Sequence, residues 1–168
     1  MSSRQLTYIK NKIKPNDIIY SVFDTKIRIN NDLKEIVNLL VKSQKILDLE
    51  DNWDGNGSQK ISLESWRSTA YFLIGYSKKI FKDYGYIIDI PKIYPSIDGS
   101  IDIAWEKESY GFMINIDASG EIANYYVDNK ADQMAQGVFN PKNFDTHILP
   151  KAIRDARLCG CVYSAGIL

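Results

Sequence analysis

The chain predicts an α+β fold: a four-stranded antiparallel β-meander over about residues 91–128, two N-terminal helices at about 31–48 and 62–82 packed on one of its faces, and a short C-terminal helix. Three observations predict it. Residues 93–128 alternate apolar and polar side chains between polar breaks, the period of strands with one buried and one wet face. Asp98-Gly99 separates two such runs and is a two-residue hairpin signal, while residues 106–110 and Ala118-Ser119-Gly120 supply two further turns. Upstream, two stretches repeat apolar residues at helical spacing instead.

Taken in order, residues 1–30 offer two short runs with strand character, Ile18 to Phe23 and Lys26 to Ile29, after a Pro15-Asn16-Asp17 turn. They extend the sheet or form a separate arm. In the first helix Leu33, Ile36, Val37, Leu40, Val41 and Leu47 lie near one stripe, and Asn30, Asn31 and Asp32 supply capping oxygens. Residues 49–61 form a loop. The second helix begins near Ser62, with Glu64 in its first turn against the positive end of the helix dipole. Trp66, Ala70, Leu73, Ile74, Ser77, Ile80 and Phe81 form its buried stripe. In the meander Ile101, Ile103 and Trp105 share one face; Phe112, Ile114 and Ile116 repeat the pattern, as do Ile122, Asn124 and Tyr126. Residues 130–143 read as irregular, with a helical turn near 131–136. Residues 146–158 read as a short helix entered through Pro150, and the apolar tail after it docks on the body.

With 168 residues and 45% hydrophobic content, the chain builds one domain, residues 1–30 being a basic extension or extra strands. No apolar run reaches the ~20 residues that span a bilayer. The first residues lack the apolar core of a secretory signal, and the only two cysteines, Cys159 and Cys161, make no disulfide framework. A cytoplasmic location is expected. Net charge is zero, which argues against strong non-specific nucleic-acid binding. The zero conceals an asymmetry. Residues 1–30 carry six Lys/Arg against two Asp, whereas residues 83–132 carry ten Asp/Glu against three Lys, a balance of −7. The meander is therefore expected to present an acidic face that steers basic partners toward it.

Catalytic signatures are sparse. Asn52, Asp54, Asn56 and Gly57 match the first half of a calcium loop, but Leu63 stands where the closing bidentate Glu is needed. The loop is better read as structural: Gly55 and Gly57 supply positive φ, Asp54 bonds loop amides, and Trp53 anchors it in the core. Trp66 and Trp105 are structural by their place in the buried stripes. Asp54, Asp98, Asp102 and Glu106 do not form a carboxylate pair, because Asp98 serves a turn and the last two alternate with core residues toward water. His147 is the only histidine and lacks a nucleophile context with either cysteine; no phosphate loop, dinucleotide turn or nucleophile elbow occurs. No enzyme, metal site or cofactor is expected.

Trp53-Asp54-Gly55-Asn56-Gly57, an amphipathic helix, and then the run from Pro91 through Pro95-Ser96, Asp98-Gly99-Ser100 and Ile101 to Trp105 form a linked pattern. It resembles a group of small uncharacterised bacterial and mobile-element proteins with a W-D-G-x-G loop and a P-x-I-x-P-S-x-D-G-S-I-x-I-x-W hairpin. The resemblance covers residues 45–128 and implies an accessory role beside toxin, defence or phage genes, with no activity to carry over.

The expected function is therefore a non-enzymatic protein-binding one, of the antitoxin, immunity or phage-encoded anti-defence inhibitor type. The expected partner is a basic or nucleic-acid-binding protein, and the expected surface is the acidic sheet, with Tyr94, Tyr110 and Tyr125 as anchors beside Asp102 and Glu106. Two alternatives remain: a small-ligand binder or small enzyme with a pocket near the 49–61 loop, and a nucleic-acid-binding adaptor using the basic N-terminal segment.

Overall fold

The computed structural model describes residues 17–22, 25–108, 110–128, 134–143 and 163–165. An antiparallel hairpin comes first, β1 (Asp17–Val22) with β2 (Thr25–Asn30). It carries Ile18 and Tyr20 opposite Ile29 and Ile27, with Val22 beyond them, so one face is largely apolar. A 3-10 turn at Asn31–Leu33 follows, started by the Asn30 carboxamide, which accepts the Asp32 N–H at 2.9 Å. Helix α1 spans Lys34–Ser43 and buries Ile36, Val37 and Leu40; a second 3-10 turn, Gln44–Asp48, ends this stretch.

Helix α2 runs from Leu63 to Tyr84. Its start is set by Ser62, whose hydroxyl accepts the Glu64 and Ser65 amides, and its end by Gly85 in the left-handed conformation. Phe72, Leu73, Tyr76 and Ile80 are fully buried, each contributing about 1.5–3 kcal/mol of apolar transfer. Strand β3 (Tyr86–Ile88) pairs with β9 (Tyr163–Ala165), which ties a segment near the C-terminus to the body.

The main sheet has five antiparallel strands in the order β4 (Lys92–Pro95), β5 (Ile101–Lys107), β6 (Tyr110–Ile116), β7 (Ala123–Asp128) and β8 (Met134–Phe139). Register aligns its inner rows. Ile93, Ile103, Ile114, Tyr125 and Gly137 stand opposite one another across the strands, as do Pro95, Ile101, Ile116, Ala123 and Phe139. Helix α2 lies on this face. Ser65 Oγ donates to the Ile116 carbonyl at 2.9 Å, Ser68 Oγ donates to the Gly120 carbonyl at 2.7 Å, and the Phe72 and Phe139 rings meet at 5.3 Å. Helix α1 leans on α2 and β1, with the Trp66 indole N–H donating to Ser43 Oγ at 3.0 Å.

The fold is α+β, but the expected four-stranded meander under two helices is corrected. The described residues are richer in strands: five in the main sheet, plus two separate two-stranded sheets. Residues 134–139, expected as part of an irregular segment with a helical turn, form β8 instead. Helix α2 is the one that packs along the main sheet, while α1 packs against α2 and β1. The expected helix at 146–158 lies outside the described residues.

A second correction concerns β7. Its inward residues are Ala123, Tyr125 and Val127, while Ile122 is exposed and Asn124 and Tyr126 face outward. The Asp117 N–H donates to the Ile122 carbonyl, so the loop between them has four residues, 118–121. A three-residue break at Ala118-Ser119-Gly120 would have placed Ile122 opposite Ile116. The added Glu121 turns every side chain of the strand to the other face.

Candidate protein-binding face

The 49–61 loop is closed on itself. Asn52, at φ 65°, accepts the Gly57 N–H on Oδ1 at 2.7 Å. Asp54 Oδ1 accepts the Asn56 and Ser58 amides at 2.8 and 3.2 Å, and Asp51 Oδ1 accepts the Lys60 N–H at 2.9 Å. Gly55 and Gly57 take φ of 75° and 89°. The Asn56 amide, with the Ser58 hydroxyl, holds the Asp54 carboxyl below its usual range. Asn52 Oδ1 and Asp54 Oδ1 are thus engaged by loop amides. Trp53 is half-buried rather than in the core, its indole N–H donating to the Gln59 carbonyl at 3.0 Å.

The outer face of the sheet carries three rows. Lys92, Ala104, Met113, Tyr126 and Gln136 form one; Tyr94, Asp102, Asn115, Asn124 and Val138 form another; Glu106, Gly111 and Asp128 belong to the third. Met113 and Tyr126 stand directly opposite each other, 42% and 37% exposed. Ala104 between Lys92 and Met113 is buried, its methyl too short to rise above them. Tyr94 on β4 is 40% exposed, and its hydroxyl lies 3.5 Å from Glu106.

Charges on this face are largely compensated. Lys92 Nζ meets Glu106 Oε2 at 2.8 Å, which lowers the glutamate's pKa and raises the lysine's. Asp102, expected in water, is half-buried, and accepts an Asn115 amide hydrogen at 2.7 Å. Asn115 also donates to Ser100 Oγ at 2.8 Å, and Ser100 Oγ donates to Asp98 at 2.5 Å. This chain of bonds holds the centre of the face rigid, and the Ser100 hydroxyl keeps the Asp98 carboxyl below its usual value.

Part of the acidic excess lies off this face. Asp98, as expected, and also Asp117 and Glu121 sit in the β4–β5 and β6–β7 turns, at one end of the sheet. Burial pushes the Asp117 carboxyl up, but the Ser119 hydroxyl and the amides of Ile122, Glu121 and Gly120 outweigh it and leave it lowered.

Of the expected anchors, Tyr94 lies on the outer face. Tyr125 does not: it points toward α2, with its ring 6.3 Å from that of Phe139. Tyr110 opens β6 opposite Lys107, and its side chain lies outside the described residues. Met113, Tyr126 and Val138 were missed; counting the loop after Asp117 as four residues would have found Tyr126. Trp105 is buried and stacks on Phe112 at 5.1 Å, and Trp66 is buried between the helices. His147, Cys159 and Cys161 lie outside the described residues.

No helix among the described residues is long and apolar enough to cross a membrane. Compared with known proteins, the chain matches no family model, no curated sequence and no solved structure.

Proposed function

We propose that the chain is a non-enzymatic, cytoplasmic protein-binding protein, an accessory factor of the antitoxin, immunity or phage-encoded anti-defence inhibitor kind. Its partner is a basic, nucleic-acid-binding protein, and its working surface is the outer face of the five-stranded sheet. The observation that carries the reading is the cross-strand pair Met113 and Tyr126, two large, adaptable side chains held side by side in the open. Around them Tyr94, Asp102, Asn115 and Asn124 make a polar rim, the usual anatomy of a non-obligate interface. The carboxylates in the turns at one end of the sheet add a local field that speeds encounter with a basic surface. The resemblance to mobile-element proteins points the same way.

The test is affinity capture from the native host, followed by binding measurements with the purified partner. Met113→Lys with Tyr126→Ala should weaken binding at least tenfold while leaving the fold intact. Association of the wild type should slow as salt rises, with a smaller change in dissociation. Unchanged binding by the double variant, with loss on reversing Lys26 and Arg28 to Glu, would move the working surface to the N-terminal hairpin.

A further inference from the structure

The two edges of the main sheet differ. Strand β4 has four residues, ends in Pro95, follows Pro91 and begins with Lys92, so prolines and a charge blunt it. Strand β8 reads Met-Ala-Gln-Gly-Val-Phe, six residues with no charge and no proline. Among the described residues no strand lies beyond it. Natural sheets protect such edges, because a row of unpaired backbone groups is a template for another strand.

The edge is also well formed. Gly137 has no side chain, and the Tyr125 ring occupies the space above it, 2.6 Å from where a β-carbon would stand. An aromatic neighbour thus keeps the glycine in the strand. The inner row stays apolar to the end, with Tyr125, Ala135 and Phe139 only half-buried. Outward, Val138 is 66% exposed.

We propose that β8 is a dimerisation edge, which pairs antiparallel with β8 of a second copy and joins two five-stranded sheets into one. A two-fold axis at Gly137 is the register the strand favours. It keeps inner residues with inner ones, placing Ala135 opposite Phe139 and Gln136 opposite Val138 of the second copy. A small residue then faces a large one, and no like charges meet. Shifting the pairing by two residues leaves Phe139 with no partner inside β8 in one direction. In the other it sets Ala135 against Pro141, which has no backbone N–H to donate. A second copy is favoured over a foreign strand because the segment is complementary to itself.

This inference does not rest on the outer-face reading. The test is mass by light scattering or sedimentation. The wild type should run at twice 19.2 kDa at high concentration and dissociate on dilution. Gln136→Lys with Val138→Lys should run at 19.2 kDa and melt like the dilute, monomeric wild type, since both side chains point into solvent. Gln136→Glu with Val138→Glu should do the same. Mixing the two variants should restore a mixed dimer, because position 136 of one meets position 138 of the other. Met113→Lys with Tyr126→Ala should dimerise like the wild type. A wild type that stays monomeric at every concentration, a dimer that survives both double substitutions, or variants that fail to pair on mixing would each overturn the proposal.

Discussion

Gly120 lies against the Glu64 backbone: a β-carbon there would stand 2.5 Å from the Glu64 carbonyl oxygen and 2.6 Å from Ser68 Oγ. The first turn of α2 therefore rests directly on the β6–β7 loop, and Ser68 bonds the Gly120 carbonyl across the contact.

Gly120→Ala should be strongly destabilising. The residue sits at φ 71°, which costs a non-glycine roughly 1–2 kcal/mol, and backbone rather than a movable side chain blocks the methyl. A loss above about 2 kcal/mol in denaturant melts is expected. A stability within error of the wild type would show that the loop can swing away from the helix.

Thr69→Val should leave stability unchanged or raise it by about 1 kcal/mol. Thr69 Oγ1 is the one buried side-chain polar atom without a hydrogen-bond partner among the described residues. Replacing an unpaired hydroxyl with a methyl of like shape removes a desolvation cost. A clear drop in melting temperature would mean that the hydroxyl is satisfied in solution.

Two of the three structural tryptophans should separate. Trp105 is buried, stacked on Phe112, and donates its indole N–H to the Asp89 carbonyl at 2.6 Å. Trp105→Ala should cost about 3–5 kcal/mol. Trp53 is half-buried with one indole bond, so Trp53→Ala should cost about 1–2 kcal/mol. Equal losses by chemical denaturation would contradict this ranking.

Acid should weaken the loop end of the sheet. Asp98 and Asp117 both have carboxyls held below the ordinary 3.8, so their stabilisation is fully present above that value and is lost as pH falls through their lower folded pKa values. Asp117→Ala should destabilise at neutral pH, because Oδ1 accepts the Glu121 and Ile122 amides at 3.0 Å each. The deficit relative to the wild type should shrink as the pH is taken well below 3.8, where the wild type is protonated too. A deficit constant across that range, read from melts, would assign the effect to packing.

Local chemistry made several features legible in the sequence. Ser62 and Glu64 announce the start of α2, and its apolar stripe predicts the burial of Trp66, Ala70, Leu73, Ser77 and Ile80, while missing Phe72 and Tyr76 and including the half-buried Ile74 and Phe81. Asp98-Gly99 marks a hairpin, and the parity of Ile101, Ile103 and Trp105 predicts the inner face of β5, because alternation along one strand needs no knowledge of its neighbours. The self-bonded loop around Asp54 was legible for the same reason: its partners lie within a few residues.

Only the tertiary structure decided the rest. In β7 both parities carry apolar residues, so the choice between Tyr125 and Tyr126 as the exposed ring depended on the pairing with β6, through one extra residue in a loop. Strand β8 was hidden because Gly137 leaves a gap in its alternation, and the missing side chain is supplied by Tyr125 from the neighbouring strand. The acidic balance of residues 83–132 was correct as a count, but pairing left Asp117 and Glu121 at the β6–β7 turn and set Lys92 against Glu106. Composition along a chain specifies how much charge and apolar surface a segment brings; which face receives them is set by contacts between residues far apart in sequence.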